Sequence, residues 1–117
     1  MTALNEGEVE IVLNGNKRVL RPTLNAITQI SRLHNGMNGV TQALVNSDFD
    51  AVVAVVRHGL GIPDREATRL PAEIYKNGLT QDLVIACINY VSILTNGGRP
   101  RAEVAPETDD EAPAGND

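Results

Sequence analysis

Residue types that could carry out a reaction are few in this chain of 117 residues. The sequence has two histidines, His34 and His58, and a single cysteine, Cys87. A nucleophilic Cys87–His58 pair would need an accessible thiolate in a polar environment, whereas Cys87 lies in an apolar run that predicts burial. A single cysteine can form neither an internal disulfide nor a zinc site of the usual kind. Structural roles are therefore the favoured interpretation for these side chains, with catalysis and metal binding as the alternative.

Two short segments around the second histidine could bind a charged ligand. Gly59-Leu60-Gly61 has some of the glycines of a nucleotide-binding loop, but the third glycine and the preceding strand of that motif are missing. This segment therefore predicts a helix terminus. The charged run Asp64-Arg65-Glu66 could form a binding loop, although a solvated surface is the favoured interpretation. The sequence thus predicts no catalytic residue, no cofactor and no metal site, and hence a protein that is not an enzyme.

The charge of the chain is concentrated at its C-terminal end. The net charge is −5, and residues 99–117 hold two basic and six acidic side chains, so the rest is almost neutral. A neutral body disfavours nucleic-acid binding, which needs a cationic surface. Composition predicts a single globular domain over residues 1–98 and a disordered acidic tail over residues 99–117. Because no signal peptide or membrane-spanning segment is visible, a cytoplasmic protein is expected.

A β-hairpin is predicted at residues 8–21, with strands near 8–13 and 17–21. Val9, Ile11 and Leu13 alternate with other residues and so share one face of a strand. Asn14-Gly15 can adopt the positive φ angles of a tight hairpin turn. An isolated hairpin is only marginally stable in water, so we expect its apolar face to pack on the first or the last helix.

Apolar residues at helical spacing follow over residues 23–96. Thr23 and Thr80 are predicted to cap the first and the last helix, and Ser47 with Asp50 resembles a capping box. The first helix is expected to end at Asn35-Gly36, and the others to cover about residues 39–46, 47–60, 71–77 and 80–96. The predicted fold class is mainly α with a small N-terminal β-hairpin (α+β). Four to five short helices would pack around a long C-terminal helix.

The last predicted helix is apolar on nearly all sides, which is typical of a helix that is covered on more than one side. Ile85 and Ile93 lie off its broad core face, with Asn89 between them. Burial beneath neighbouring helices of the same chain is the favoured interpretation, and contact with a partner or a second copy is the alternative. Ile85, Asn89 and Ile93 are accordingly the candidate partner-binding residues.

Two segments carry a resemblance to a known family: GEVEIVLNGNKRVLRPTLNAITQI at residues 7–30 and IYKNGLTQDLVIACINYV at residues 74–91. The first combines a glycine, an alternating strand, a turn, a second strand and the start of a helix. Over about residues 7–96 the chain resembles the tail assembly chaperones of tailed phages, in the branch shared with gene transfer agents. Members of that branch are small, begin with a Gly-x-Val hairpin and continue as four or five helices.

The resemblance implies a chaperone in the host cytoplasm that binds the tape measure protein during tail morphogenesis and leaves before the virion matures. Tail tube subunits would displace it, and family members are often made in a second, longer form by translational frameshifting. A structural tail protein retained in the particle, such as a tube or completion subunit, is the alternative. A small regulatory adaptor of a prophage is a third possibility. Homo-oligomers are left open, whereas neither nucleic acid nor a membrane is an expected partner.

Overall fold

The computed structural model describes residues 4–100, which begin with a two-stranded antiparallel sheet and continue as six helices. The strands are β1 (Val9–Leu13) and β2 (Asn16–Leu20), and the helices are α1 (Leu24–Ser31), α2 (Met37–Val45), α3 (Phe49–Leu60), α4 (Asp64–Ala67), α5 (Leu70–Asn77) and α6 (Gln81–Thr95). The long helix α6 contacts β1, α1, α2 and α3. The predicted α+β class, with shorter helices around a long C-terminal helix, is confirmed. The predicted acidic tail lies outside the described residues from position 101 onward.

The hairpin closes through the turn that its sequence predicts. Asn14 and Gly15 have φ angles of 53° and 86°, as a two-residue hairpin turn requires. Val9, Ile11 and Leu13 are all buried, and β1 packs chiefly on α6. The predicted apolar face is therefore confirmed, and of the two predicted supports it is the last helix that carries it.

The end of β2 is held against α3 and α6 at one junction. The Arg21 amide donates to the Gly59 carbonyl at 2.9 Å, and the Tyr90 hydroxyl donates to the Arg21 carbonyl at 2.6 Å. Gly59 lies within α3, where a Cβ atom would come 2.9 Å from the Cδ2 atom of the fully buried Leu20. The glycine segment does end the helix as predicted, but through Gly61 with its φ of 68°. Gly59 instead permits β2 to approach α3 closely.

Replacing Gly59 by alanine should destabilise the domain by about 1–3 kcal/mol, although alanine is the better helix former. The added methyl group would displace Leu20 or the Tyr90 ring, whose Cε2 atom would lie 3.2 Å from it. Urea unfolding followed by circular dichroism measures the change. The double variant Gly59→Ala/Leu20→Val should lose less stability than the sum of the two single losses, because the smaller valine makes room for the methyl group. Strictly additive costs would contradict the close contact.

The structure confirms two of the three predicted N-terminal helix caps. The hydroxyl groups of Thr23 and Thr80 accept hydrogen bonds from amides of the first turns of α1 and α6, as predicted. At α3 the predicted capping box is wrong. The N-cap is Asp48, whose carboxylate accepts from the Ala51 amide at 3.1 Å, whereas Ser47 lies before the helix at a φ of 57°. Both residues are good caps, and the carboxylate also complements the positive end of the helix dipole.

The first helix ends earlier than its apolar spacing predicts. α1 stops at Ser31 rather than at Asn35, because His34 and Asn35 have φ angles of 49° and 63° and turn the chain into α2. Gly39 in α2 lies so close to this corner that a Cβ atom there would collide with the His34 carbonyl oxygen. The second helix begins at Met37, about two residues before its predicted start at residue 39.

Candidate functional site

The predicted partner-binding stripe on α6 does not form one surface. Ile85 is 54% exposed and Asn89 is exposed, but Ile93 is only 3% exposed and belongs to the core. Ile93 thus does not lie off the core face, and the favoured interpretation, burial within the same chain, holds for Ile93 but not for Ile85. Each residue turns a helix by about 100°, so Ile93 lies about 80° around α6 from Ile85 and within about 20° of Ala86. Ala86 borders β1, so this side of α6 faces the hairpin. Partner binding through Ile85 and Asn89 stays a prediction.

The residues that could carry out chemistry lie in unrelated environments. His34 is exposed in the turn between α1 and α2. Cys87 is buried in the core, and burial raises the pKa of its thiol to about 12. His58 is half-buried near the end of α3, where burial first and the Arg57 charge second lower the pKa of its imidazole. Cys87 is therefore a protonated core thiol near neutral pH and lacks the accessible thiolate that a nucleophile requires.

A polar cleft surrounds the end of α3. Its volume is about 330 Å³, and it is bordered by Asn25 and Gln29 of α1 and by Arg57, His58 and Asp64. The Arg57 guanidinium donates to the Asp64 carboxylate, so the two charges of the cleft pair with each other. Asp64 begins the short helix α4, and Asp64, Arg65 and Glu66 are all exposed, which confirms the favoured interpretation of a solvated surface. The cleft offers hydrogen-bonding groups but no uncompensated charge among the residues that border it.

An apolar cleft of about 270 Å³ lies where the hairpin runs into α1. Pro22, Leu24 and Ile27 form one wall, and Leu94 with Gly97 and Gly98 forms the other. The side chain of Leu24 at this cleft is 81% exposed. Gly7 packs so closely on Gly98 that a Cβ atom at residue 7 would collide with the Gly98 carbonyl oxygen. The cleft therefore marks the place where both ends of the described chain meet.

A groove of about 320 Å³ runs between β1 and the first turns of α6, and it is lined by residues 10–12 and by Thr80, Asp82, Leu83 and Ala86. Ile11 and Leu83 are buried beneath it, whereas the Val12 side chain is 51% exposed. The carboxylates of Glu10 and Asp82 are on exposed residues at its sides. Apolar surface beside two acidic groups suits a ligand that is itself apolar and positively charged.

One residue in the sequence indicates this groove, although its apolar pattern alone does not single it out. Val12 is an apolar residue on the hairpin face that otherwise carries Glu8 and Glu10. A single exposed valine is ordinary for a soluble protein. The sequence leaves open whether β1 packs on the first or the last helix, so it does not indicate that β1 lies beside the N-terminal end of α6, about 70 positions away along the chain.

No protein-family model matches this chain, and neither does any curated protein or solved structure. Between residues 4 and 100, no helix has the length and apolar character needed to cross a membrane. Nor does that part of the chain bring together three His, Cys, Asp or Glu side chains in an arrangement that could hold a metal ion. The architecture is that of a small α+β domain with a leading hairpin.

Proposed function

We propose that this chain is a tail assembly chaperone of a tailed phage or gene transfer agent. In this role it binds the tape measure protein in the host cytoplasm and leaves before the virion matures. The observation that carries the proposal is the order of elements at residues 7–30. There, a two-strand hairpin with a glycine turn runs directly into the first helix, which is the order that the family resemblance implies.

The surface of the domain is compatible with such a role. A tape measure protein is long, helical and prone to aggregate, so its chaperone has to cover apolar segments before assembly. The groove beside β1 offers apolar side chains next to carboxylates, and Ile85 adds an exposed apolar side chain on α6. The net charge of −5 favours solubility of a complex through repulsion between copies. Binding to a client and keeping it soluble would need no reaction chemistry.

The alternative is a structural tail protein, such as a tube or completion subunit, that stays in the particle. Tube proteins are usually rich in β-strand. Between residues 4 and 100 this chain has only two strands, of five residues each, and both belong to one hairpin. The chaperone is therefore the better supported of the two proposals.

Two measurements test the proposal. The chain should raise the soluble fraction of the tape measure protein encoded beside it when both are expressed together, and the two should purify as a complex. Expression of the tape measure protein alone is the control. In purified particles, mass spectrometry should detect the tape measure protein but not this chain. A chain present in the particles at the level of a tail subunit would favour the structural alternative, and an unchanged soluble fraction would contradict the chaperone.

A further inference from the structure

The outer edge of β1 has main-chain groups that the hairpin itself leaves unused. Residues 13 and 16 flank the two-residue turn, so they form a hydrogen-bonded pair of the ladder. Such pairs alternate with non-bonded ones along an antiparallel ladder, so Ile11 and Val9 are the next residues of β1 that bond to β2. The amide and carbonyl groups of Glu10 and Val12 therefore point away from β2.

No other element covers this edge within residues 4–100. The sheet has two strands, and no hydrogen bond from a helix, a loop or a side chain reaches the main chain of Glu10 or Val12. The groove beside α6 borders the same residues 10–12. A free strand edge next to a groove is the arrangement that accepts an added strand, since the backbone supplies affinity and the groove supplies selectivity.

The side chains at the groove indicate what such a strand would carry. The exposed Val12 and the partly exposed Ala86 offer an apolar surface above the buried Leu83, which favours apolar side chains on the incoming segment. The carboxylates of Glu10 and Asp82 favour lysine or arginine next to them. Lys17 stands opposite Val12 on β2, so β1 lies between its backbone and the groove.

We infer that the edge of β1 and the groove beside α6 bind an extended segment of another protein in which apolar residues alternate with Lys or Arg. A second copy of this chain is disfavoured as the occupant, because β1 carries the exposed Glu10 and no basic residue, so a second β1 would bring no cation to the carboxylates of the groove. The inference rests on the proposed function in one respect. If the chain is a chaperone, the part of its client that it binds is an extended segment in which basic and apolar residues alternate.

A pair of synthetic peptides tests this inference without the client. The full-length protein, labelled with ¹⁵N, is titrated with Lys-Val-Lys-Val-Lys-Val-Lys and, as the matched control, with Glu-Val-Glu-Val-Glu-Val-Glu. The basic peptide should shift the amide signals of Glu10 and Val12 and slow the hydrogen exchange of both. The acidic peptide should bind at least about tenfold more weakly, because it places like charges beside Glu10 and Asp82.

Two variants locate the contact. Val12→Pro removes an amide that faces the groove rather than β2, so the hairpin tolerates it as an edge-strand proline while peptide affinity falls about tenfold or more. Asp82→Asn should weaken binding about threefold. Asp50→Asn removes the corresponding exposed acid from the first turn of α3 and should leave affinity unchanged. If Val12→Pro does not fold, comparing Asp82→Asn with Asp50→Asn still shows whether the peptide binds at the groove.

Several outcomes would overturn the inference. Equal binding of both peptides would do so, as would amide shifts confined to the cleft at Pro22 and Leu24. Concentration-dependent shifts at Glu10 and Val12 in the absence of peptide would assign the edge to a second copy of the chain. The two proposals fail separately. A client that is solubilised equally by Val12→Pro and by the parent would contradict the groove alone, whereas peptide binding without any effect on the tape measure protein would contradict the chaperone alone.

Discussion

Replacing Ile11 by aspartate should destabilise the domain by at least about 4 kcal/mol, a large part of the total stability of a small domain. Ile11 is 3% exposed and lies at the centre of the apolar face that β1 presents to the core. The variant loses this apolar contact and also buries a carboxylate. Arg18 stands opposite Ile11 and could reach the new charge only by weakening its ion pair with Glu73. Chemical unfolding followed by far-ultraviolet circular dichroism measures the loss.

The neighbouring residue provides the matched control for this substitution. Val12→Asp introduces the same charge one position along the strand, on the exposed face, and should change stability by less than about 1 kcal/mol. The deficit of Ile11→Asp should also shrink as the pH falls, because burial raises the pKa of the new carboxyl group and the folded state then favours its neutral form. Equal effects at the two positions would mean that the hairpin is not packed on α6.

The hairpin could be predicted from the sequence because local rules decide it. A period of two in the apolar residues fixes which face of β1 is buried, and Asn14-Gly15 fixes the turn. The caps at Thr23 and Thr80 are also local, since each hydroxyl group bonds an amide within the next turn. The class of the fold follows from these features together with the helical spacing of the remaining apolar residues.

Features that depend on distant contacts could not be predicted in the same way. The apolar spacing of the first helix continues past Ser31, although His34 and Asn35 turn the backbone, because the side chains of α2 join the same core. Gly59 looked like a helix terminator because its sequence neighbours do not reveal that Leu20 presses against it. The groove likewise depends on how β1 lies relative to α6, which the helical pattern alone leaves open.

Helical periodicity gives the direction of a side chain around the helix axis, but it does not say which element packs in that direction. Ile93 was misplaced for this reason. Ile93 lies only about 80° around α6 from the exposed Ile85, yet it is part of the core. The sequence pattern groups the same two isoleucines with Asn89 as one candidate partner-binding surface. The structure separates them, and the separation can be measured with a single pair of substitutions.

Ile93→Gln should cost about 2–4 kcal/mol, whereas Ile85→Gln should change stability by less than about 0.5 kcal/mol. Glutamine at residue 93 would lose the packing of a side chain that is 3% exposed and would bury an amide group without an assured partner. At residue 85 the same glutamine would stay in water, since the isoleucine there is 54% exposed. Thermal and urea unfolding measure both changes, and each variant serves as the control for the other because the helix and the substitution are the same. Similar costs at the two positions would contradict the burial of Ile93. Ile85→Gln also tests the remaining part of the predicted surface, because weaker co-purification with the tape measure protein at unchanged stability would make Ile85 a contact residue.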